Sequence, residues 1–254
     1  MKNDFNWCAK HLLDMHAKAN VGHVGGNLSC LAGICAIMDR LRRQDRFVLS
    51  KGHSAGALYV ALARAGILPE TELDTFHKDG TRLPGHPPAN MFDAIPFATG
   101  SLGHGLSLAA GFALSQMLRN DNAKTYCLTS DGEWQEGSTW EALIFACHHQ
   151  LKNLTIVIDH NGLQGFGTTA TVASMDPLWG LFKGFDIEVV VLDGHDLDAV
   201  DRELDRPQDR VRALILRTIK GKGVPGMEGT LHSHYLPMTD EQHRSAIAKL
   251  DAGT

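Results

Sequence analysis

Apolar residues follow two alternating rhythms along this chain. Phe5, Cys8, Leu12, Met15 and Ala19 keep helical spacing and predict a helix over roughly residues 4–19. The Gly-rich turn Gly22-His23-Val24-Gly25-Gly26 interrupts it, and residues 28–38 read as a second helix buried on most sides. Arg46-Phe47-Val48-Leu49-Ser50 predicts a short strand that runs straight into Lys51-Gly52-His53. Residues 55–65 are helical, and residues 77–98 read as a loop rich in Pro and His. Leu102, Leu106, Ala109, Ala110, Ala113 and Met117 mark a long helix whose small residues permit close packing. Beyond it the alternation is plain. Strands are predicted over 125–130, 154–159, 187–192 and 213–218, the second and third of them buried. Helices are predicted over 138–150, 197–204 and 239–250, with Ser138 and Glu141 spaced as a capping box at the start of the first.

Strands alternating with helices through short loops argue for an α/β fold with one doubly wound, mostly parallel sheet. No Ser-rich linker, charge block or internal repeat divides the sequence, so residues 1–254 read as a single domain. With 43% hydrophobic and 21% charged residues, the chain can bury a substantial core. The net charge of −5 and the absence of a basic run disfavour a nucleic-acid partner. The apolar stretches are strand-length, so no membrane span is expected, and residues 1–7 carry no apolar signal core. Five cysteines without a C-x-x-C read as reduced, buried thiols of a cytoplasmic protein.

In such a sheet, ligands bind at the carboxyl ends of the strands. Three suggestive segments follow strands directly: 50–54, 130–137 and 160–167. Asp131 would place a carboxylate in the crevice, and Gly132 would let the backbone approach a ligand. Asn161 occupies the equivalent place after the next strand, thirty residues on. Asp and Asn oxygens with a backbone carbonyl suit octahedral Mg²⁺ that also holds ligand phosphates. An Asp-Gly turn and an Asn cap would give the same spelling, and spacing alone leaves both readings open.

The surrounding sequence separates them. Ser130-Asp131-Gly132, Gln135-Glu136-Gly137, a helix, a buried strand and His160-Asn161 resemble the thiamine diphosphate motif of the transketolase family. Gly22-His23, the run from Asp45 through His53, Pro84-Gly85-His86-Pro87 and Thr99-Gly100-Ser101-Leu102-Gly103 resemble other motifs of its amino-terminal half, in order. The resemblance implies a thiamine diphosphate-binding fold and residue roles. Asp131, Asn161 and the Leu163 carbonyl would be Mg²⁺ ligands, with Gly132 against the diphosphate. His53, at a strand end, would donate to a diphosphate oxygen, and the backbone at Gly100 and Leu102 would contact the cofactor. Ser130 stands where the family usually has Gly, and His104 where it usually has Gln.

The resemblance places His23, His86 and His234 on the substrate side, with His234 adjoining the cofactor. A ketose donor loses a hydroxyl proton as its carbon–carbon bond breaks, and histidine near pH 7 suits that transfer. His232 matches the His-x-x-Pro segment less well than His234. Glu136, just ahead of a helix, gains from the helix dipole in any fold. In the family it lies at the subunit interface, linked to the partner's catalytic glutamate.

A complete transketolase is more than twice as long and carries that glutamate, and much of the sugar-phosphate pocket, in a middle domain absent from this sequence. The resemblance therefore implies the amino-terminal subunit of a split transketolase, inactive alone. Its partner would be the carboxy-terminal, pyrimidine-binding subunit, in an α₂β₂ assembly acting on sugars or sugar phosphates. Two alternatives stand beside it. One is the α subunit of a thiamine diphosphate-dependent 2-oxo-acid dehydrogenase, which lacks the combination of Lys51-Gly52-His53 with Gly85-His86-Pro87. The other is a non-catalytic scaffold, against which His23, His86 and His234 speak.

Overall fold

The computed structural model describes residues 2–90 and 96–252. Among the described residues seven strands form: β1 (Arg46–Leu49), β2 (Thr125–Ser130), β3 (Leu154–His160), β4 (Leu163–Gln164), β5 (Gly167–Thr168), β6 (Ile187–Asp193) and β7 (Val211–Arg217). Five of them make a sheet of order β1-β2-β3-β7-β6, every pair parallel, while β4 and β5 form a small antiparallel hairpin. β2, β3 and β7 are covered on both faces, which is why each carries a central apolar run (126–128, 156–158 and 213–216) rather than an alternation. β6 departs from the expectation of a buried strand. It lies at the sheet edge, and Val191 is 40% exposed.

Helices α1 (Lys2–Ala19), α2 (Val24–Arg40) and α3 (Ala55–Arg64) pack on one another and on one face of the sheet. Helices α4 (Gly105–Leu118) and α5 (Gly137–His148) cover the other, where Leu106, Ala109, Ala110 and Ala113 meet Ile156 and Ile158. The short α6 (Thr169–Ala173) and α7 (Leu178–Leu181) precede β6. α8 (Leu197–Asp205) joins β6 to β7 on the face of α2, α9 (His232–Tyr235) follows β7, and α10 (Asp240–Ala252) closes against α1. All of α2 from Val24 to Met38 is buried, as its composition foretells. The chain steps from β1 to β2 to β3 in one direction, then crosses to the far edge and returns to β7. The strand order therefore reverses between β3 and β7, and a crevice opens there at the strands' carboxyl ends.

Two local expectations are corrected. Leu102 lies before α4 rather than in it, because Gly103 adopts φ +86 and ends any helical path through that point. Ser138 caps nothing. It lies inside α5, whose N-cap is Glu136, and its hydroxyl donates to the Gly103 carbonyl at 2.8 Å. A capping box forms instead at α10, where the Thr239 hydroxyl accepts from Gln242 N and the Gln242 side chain accepts from Thr239 N. Of the Pro- and His-rich loop expected over 77–98, positions 91–95 lie outside the described residues.

Candidate active site

The site begins where β1 ends. The chain turns through Ser50-Lys51-Gly52-His53 against the backbone of Thr99 and Gly100, and a Cβ on Gly52 would lie 2.5 Å from the Thr99 carbonyl oxygen. Gly100 in turn sits beside the His86 ring, 3.0 Å from where its own Cβ would stand. The turn before α2 is shaped by the same kind of contact. Gly22 lies against the Tyr235 carbonyl with no room for a side chain, and His23 N donates to the His234 carbonyl at 3.0 Å. His23 itself adopts φ 64, a left-handed conformation that non-glycine residues take rarely and often at functional sites.

These turns gather four histidines. The His23 ring centroid lies 5.0 Å from that of His234, 5.8 Å from His53 and 6.4 Å from His86. His53 and His234 are 5.7 Å apart. Burial, then the neighbouring His86 and Lys220, pull His23 down to about 4. Burial and the Lys220 ammonium pull His234 to about 3, and burial with Lys51 and Lys220 holds His53 well below the usual imidazole range. All three are neutral at pH 7. Lys220 Nζ lies 2.7 Å from His234 Nδ1 and donates to the Leu163 carbonyl at 3.2 Å. An ammonium can only donate, so Nδ1 is the acceptor and the ring proton of neutral His234 resides on Nε2. His23 Nδ1 is buried without a partner among the described residues.

Beside the histidines lie oxygen donors. Asp131 follows β2 directly, and its carboxylate accepts from Gly132 N at 2.8 Å and from Gly162 N at 2.6 Å. Asn161 Oδ1 accepts from Leu163 N at 3.0 Å. Asp131, Asn161 and Leu163 are thus drawn together around one backbone turn. Burial and the nearby Asp159 charge push the Asp131 carboxyl up to about 6, the condition that a bound cation would relieve. Among the described residues no group of three His, Cys, Asp or Glu side chains could hold a metal. A carboxylate, an amide oxygen and a backbone carbonyl are the hard donors that suit Mg²⁺ with phosphate oxygens. The donor set fits Mg²⁺ and a diphosphate.

The structure does not bring every expected residue to this cluster. Glu136 is exposed at the start of α5, with its side chain packed beside Gly103. Leu102 is half-buried in the bend before Gly103. His104 and His232 are exposed, and His104 Nδ1 lies 3.2 Å from the Ser101 carbonyl. Three further residues belong to the site's framework. Lys220 lies three residues past the end of β7, so its place near a strand end was a usable signal. Asp159 is the penultimate residue of β3. Glu133, fully buried, accepts from the Ser50 hydroxyl and from Gly103 N at 2.9 Å, tying the end of β1 to the loop before α4.

A sequence profile described as "Transketolase, thiamine diphosphate binding domain" matches residues 9–252. The chain belongs to the transketolase family. It is 36% identical to the 6-deoxy-6-sulfo-D-fructose transketolase subunit of Clostridium sp. strain MSTE9, over 99% of this chain and 96% of that one. It is 37% identical to an apulose-4-phosphate transketolase subunit of Phocaeicola vulgatus, over 95% of this chain and 90% of that one. The transketolase of Pichia stipitis, solved in complex with sedoheptulose 7-phosphate, superposes with a TM-score of 0.90 at 26% identity. That match covers 98% of this chain and 40% of the longer one. This transketolase chain therefore has the α/β thiamine diphosphate-binding fold of its family and is an amino-terminal, thiamine diphosphate-dependent transferase subunit.

Proposed function

We propose that the chain is the diphosphate- and Mg²⁺-binding subunit of a two-chain transketolase that moves a two-carbon ketol unit from a ketose to an aldose. The observation that carries this reading is the convergence of His23, His53 and His234 beside the Asp131, Asn161 and Leu163 oxygens in one strand-end crevice. Asp131, Asn161 Oδ1 and the Leu163 carbonyl would hold Mg²⁺. His53, the backbone at Gly132 and the Gly100–Leu102 bend would hold thiamine diphosphate, which when bound supplies the carbon centre that carries the ketol unit. His23 and His86 face the sugar. A neutral His23 can accept a hydroxyl proton as the carbon–carbon bond breaks, while His234, protonated on Nε2, donates to a sugar oxygen. Lys220 fixes that tautomer from behind and places a positive charge beside the diphosphate.

The exposed Glu136 at the start of α5 would meet the second polypeptide, the pyrimidine-binding half. An α₂β₂ assembly follows if the two chains reproduce a two-fold dimer of full-length subunits. Reading residues 1–254 as one domain is supported by the five-stranded sheet that helices cover on both faces among the described residues. Among the described residues no helix is long and apolar enough to cross a membrane, and the five cysteines are free, which suits work in the cytoplasm. The relatives are named for a sulfonated ketose and a ketose phosphate, so ketoses bearing an anionic end, within carbohydrate metabolism, are the first donors to try. Copurification with the pyrimidine-binding chain, followed by a donor-ketose panel, tests the reading. Oxidative decarboxylation of 2-oxo acids by the assembled protein, without ketol transfer, would replace it.

A further inference from the structure

The carboxylate of Asp159 is buried, and it gathers more donors than Asp131 or Glu133 does. Its Oδ2 accepts from Lys51 Nζ at 2.5 Å, Ser29 Oγ at 2.6 Å and Asn161 Nδ2 at 2.9 Å. Its Oδ1 accepts from Thr218 Oγ1 at 2.5 Å. Asp159 and Lys51 are 0% exposed, so both charges sit in low dielectric and each depends on the other. All four neighbours donate to it, and the Lys51 ammonium forms the ion pair that makes the group a carboxylate.

An ionised carboxylate accepts and never donates, and this decides which way the neighbouring amide points. The Asn161 nitrogen must face Asp159, so the Asn161 oxygen must face the other way. That is the side where Leu163 N donates to it and where the Asp131 carboxylate meets Gly162 N. We infer that Asp159 is a positioning residue for the cation: it locks the Asn161 amide with its oxygen toward the metal, and through Thr218 it anchors the segment that brings Lys220 to the Leu163 carbonyl. Lys51 makes this possible by pairing with Asp159, which leaves Asp131 as the carboxylate without an ammonium of its own among the three oxygen donors. The same acceptor therefore orders two of the three oxygen donors from behind, as partners of metal ligands do elsewhere.

This inference rests on the proposed cofactor site, and its test separates the two. Mn²⁺ stands in for Mg²⁺, and its binding with excess thiamine diphosphate is followed by electron paramagnetic resonance on the assembled protein. Two variants are compared. The double variant Lys51→Met, Asp159→Asn removes both buried charges together, and the neutral amide at 159 no longer forces the orientation of Asn161. Asp159→Glu keeps the ion pair but moves the carboxylate outward by one methylene. Both are expected to weaken Mn²⁺ binding by about 10- to 100-fold while melting as folded proteins. Wild-type Mn²⁺ affinity in either folded variant overturns the inference, as does failure of both to fold, which would give Asp159 a purely structural role. If the unaltered protein itself does not bind Mn²⁺ with thiamine diphosphate, the proposed site falls, and this inference with it.

Discussion

Replacing Gly22 with Ala tests how the histidine cluster is built. A Cβ at Gly22 would sit closer than 3.0 Å to both the carbonyl oxygen and the carbonyl carbon of Tyr235, backbone atoms that cannot rotate away. Relief requires the turn and the 232–236 segment to part by about 1 Å, and overpacking of this kind costs about 1–3 kcal/mol. The movement falls on the 3.0 Å bond from His23 N to the His234 carbonyl and on two rings whose centroids are 5.0 Å apart. Losing that bond accounts for about 1 kcal/mol of the destabilisation. Misplacing positioned groups by about 1 Å lowers turnover by about 10²-fold. His53 and the Asp131 turn are not touched, so thiamine diphosphate affinity should stay near its original value. Steady-state ketol transfer and calorimetric titration with the cofactor read the two quantities separately. Gly111→Ala is the control, because nothing lies within 4 Å of its missing Cβ on the exposed side of α4. It should raise stability by about 0.5–1 kcal/mol without altering turnover. Unchanged kcat/KM in Gly22→Ala, or a loss of cofactor affinity as large as the loss of rate, would refute this account of the turn.

Other perturbations separate the remaining parts. Asp131→Ala removes the charged donor of the cation set, so cofactor affinity with Mg²⁺ should fall steeply while the fold persists; calorimetry with unchanged affinity would remove Asp131 from the site. His23→Ala should lower kcat/KM by about 10²–10³-fold with little change in cofactor affinity, whereas His53→Ala should weaken cofactor binding first. Equal loss of cofactor affinity in both would erase the distinction between them. Burial holds His16 neutral and lowers it from 6.5 to about 4, so the unfolded chain binds a proton that the folded chain refuses. Its contribution is therefore intact above pH 6.5 and is lost as pH falls toward 4, a loss of about 3 kcal/mol. In urea titrations His16→Leu should flatten the acid limb of stability against pH, and an unaltered limb would show that His16 is not its source.

The sheet was legible because β2, β3 and β7 are covered on both faces and so carry central apolar runs, 126–128, 156–158 and 213–216. β6 spells a similar run, but only its neighbours in space make it an edge, and no local pattern carries that information. The start of α4 was misjudged because Gly103, at φ +86, overrides the helical spacing of Leu102 and Leu106. Ser138 has the letters of a cap, yet the loop carbonyl of Gly103 takes its hydroxyl instead. In the site, His23, His53, Asp131 and Asn161 could be read from strand ends and Gly-flanked turns. Their convergence could not, since it depends on the Tyr235 carbonyl meeting Gly22 across more than 200 residues. Lys220 and Asp159 also lie near strand ends, with Gly221 and His160 beside them, but a lysine past β7 and an aspartate inside β3 spell no ligand until Leu163, His234 and Lys51 close around them. Glu133 looks like an ordinary surface glutamate until the Ser50 hydroxyl and Gly103 N close around it.

In the function proposed above, this chain holds the cofactor's diphosphate and cation but needs a second polypeptide to transfer ketol groups. A ketol-transfer assay on the purified chain with thiamine diphosphate and Mg²⁺, before and after adding the pyrimidine-binding partner, decides between dependence and self-sufficiency. No turnover is expected from the chain alone, and turnover should rise with added partner to a fixed stoichiometric ratio. Full ketol transfer by the chain alone, or none from the reconstituted pair across ketose and ketose phosphate donors, would contradict the proposal.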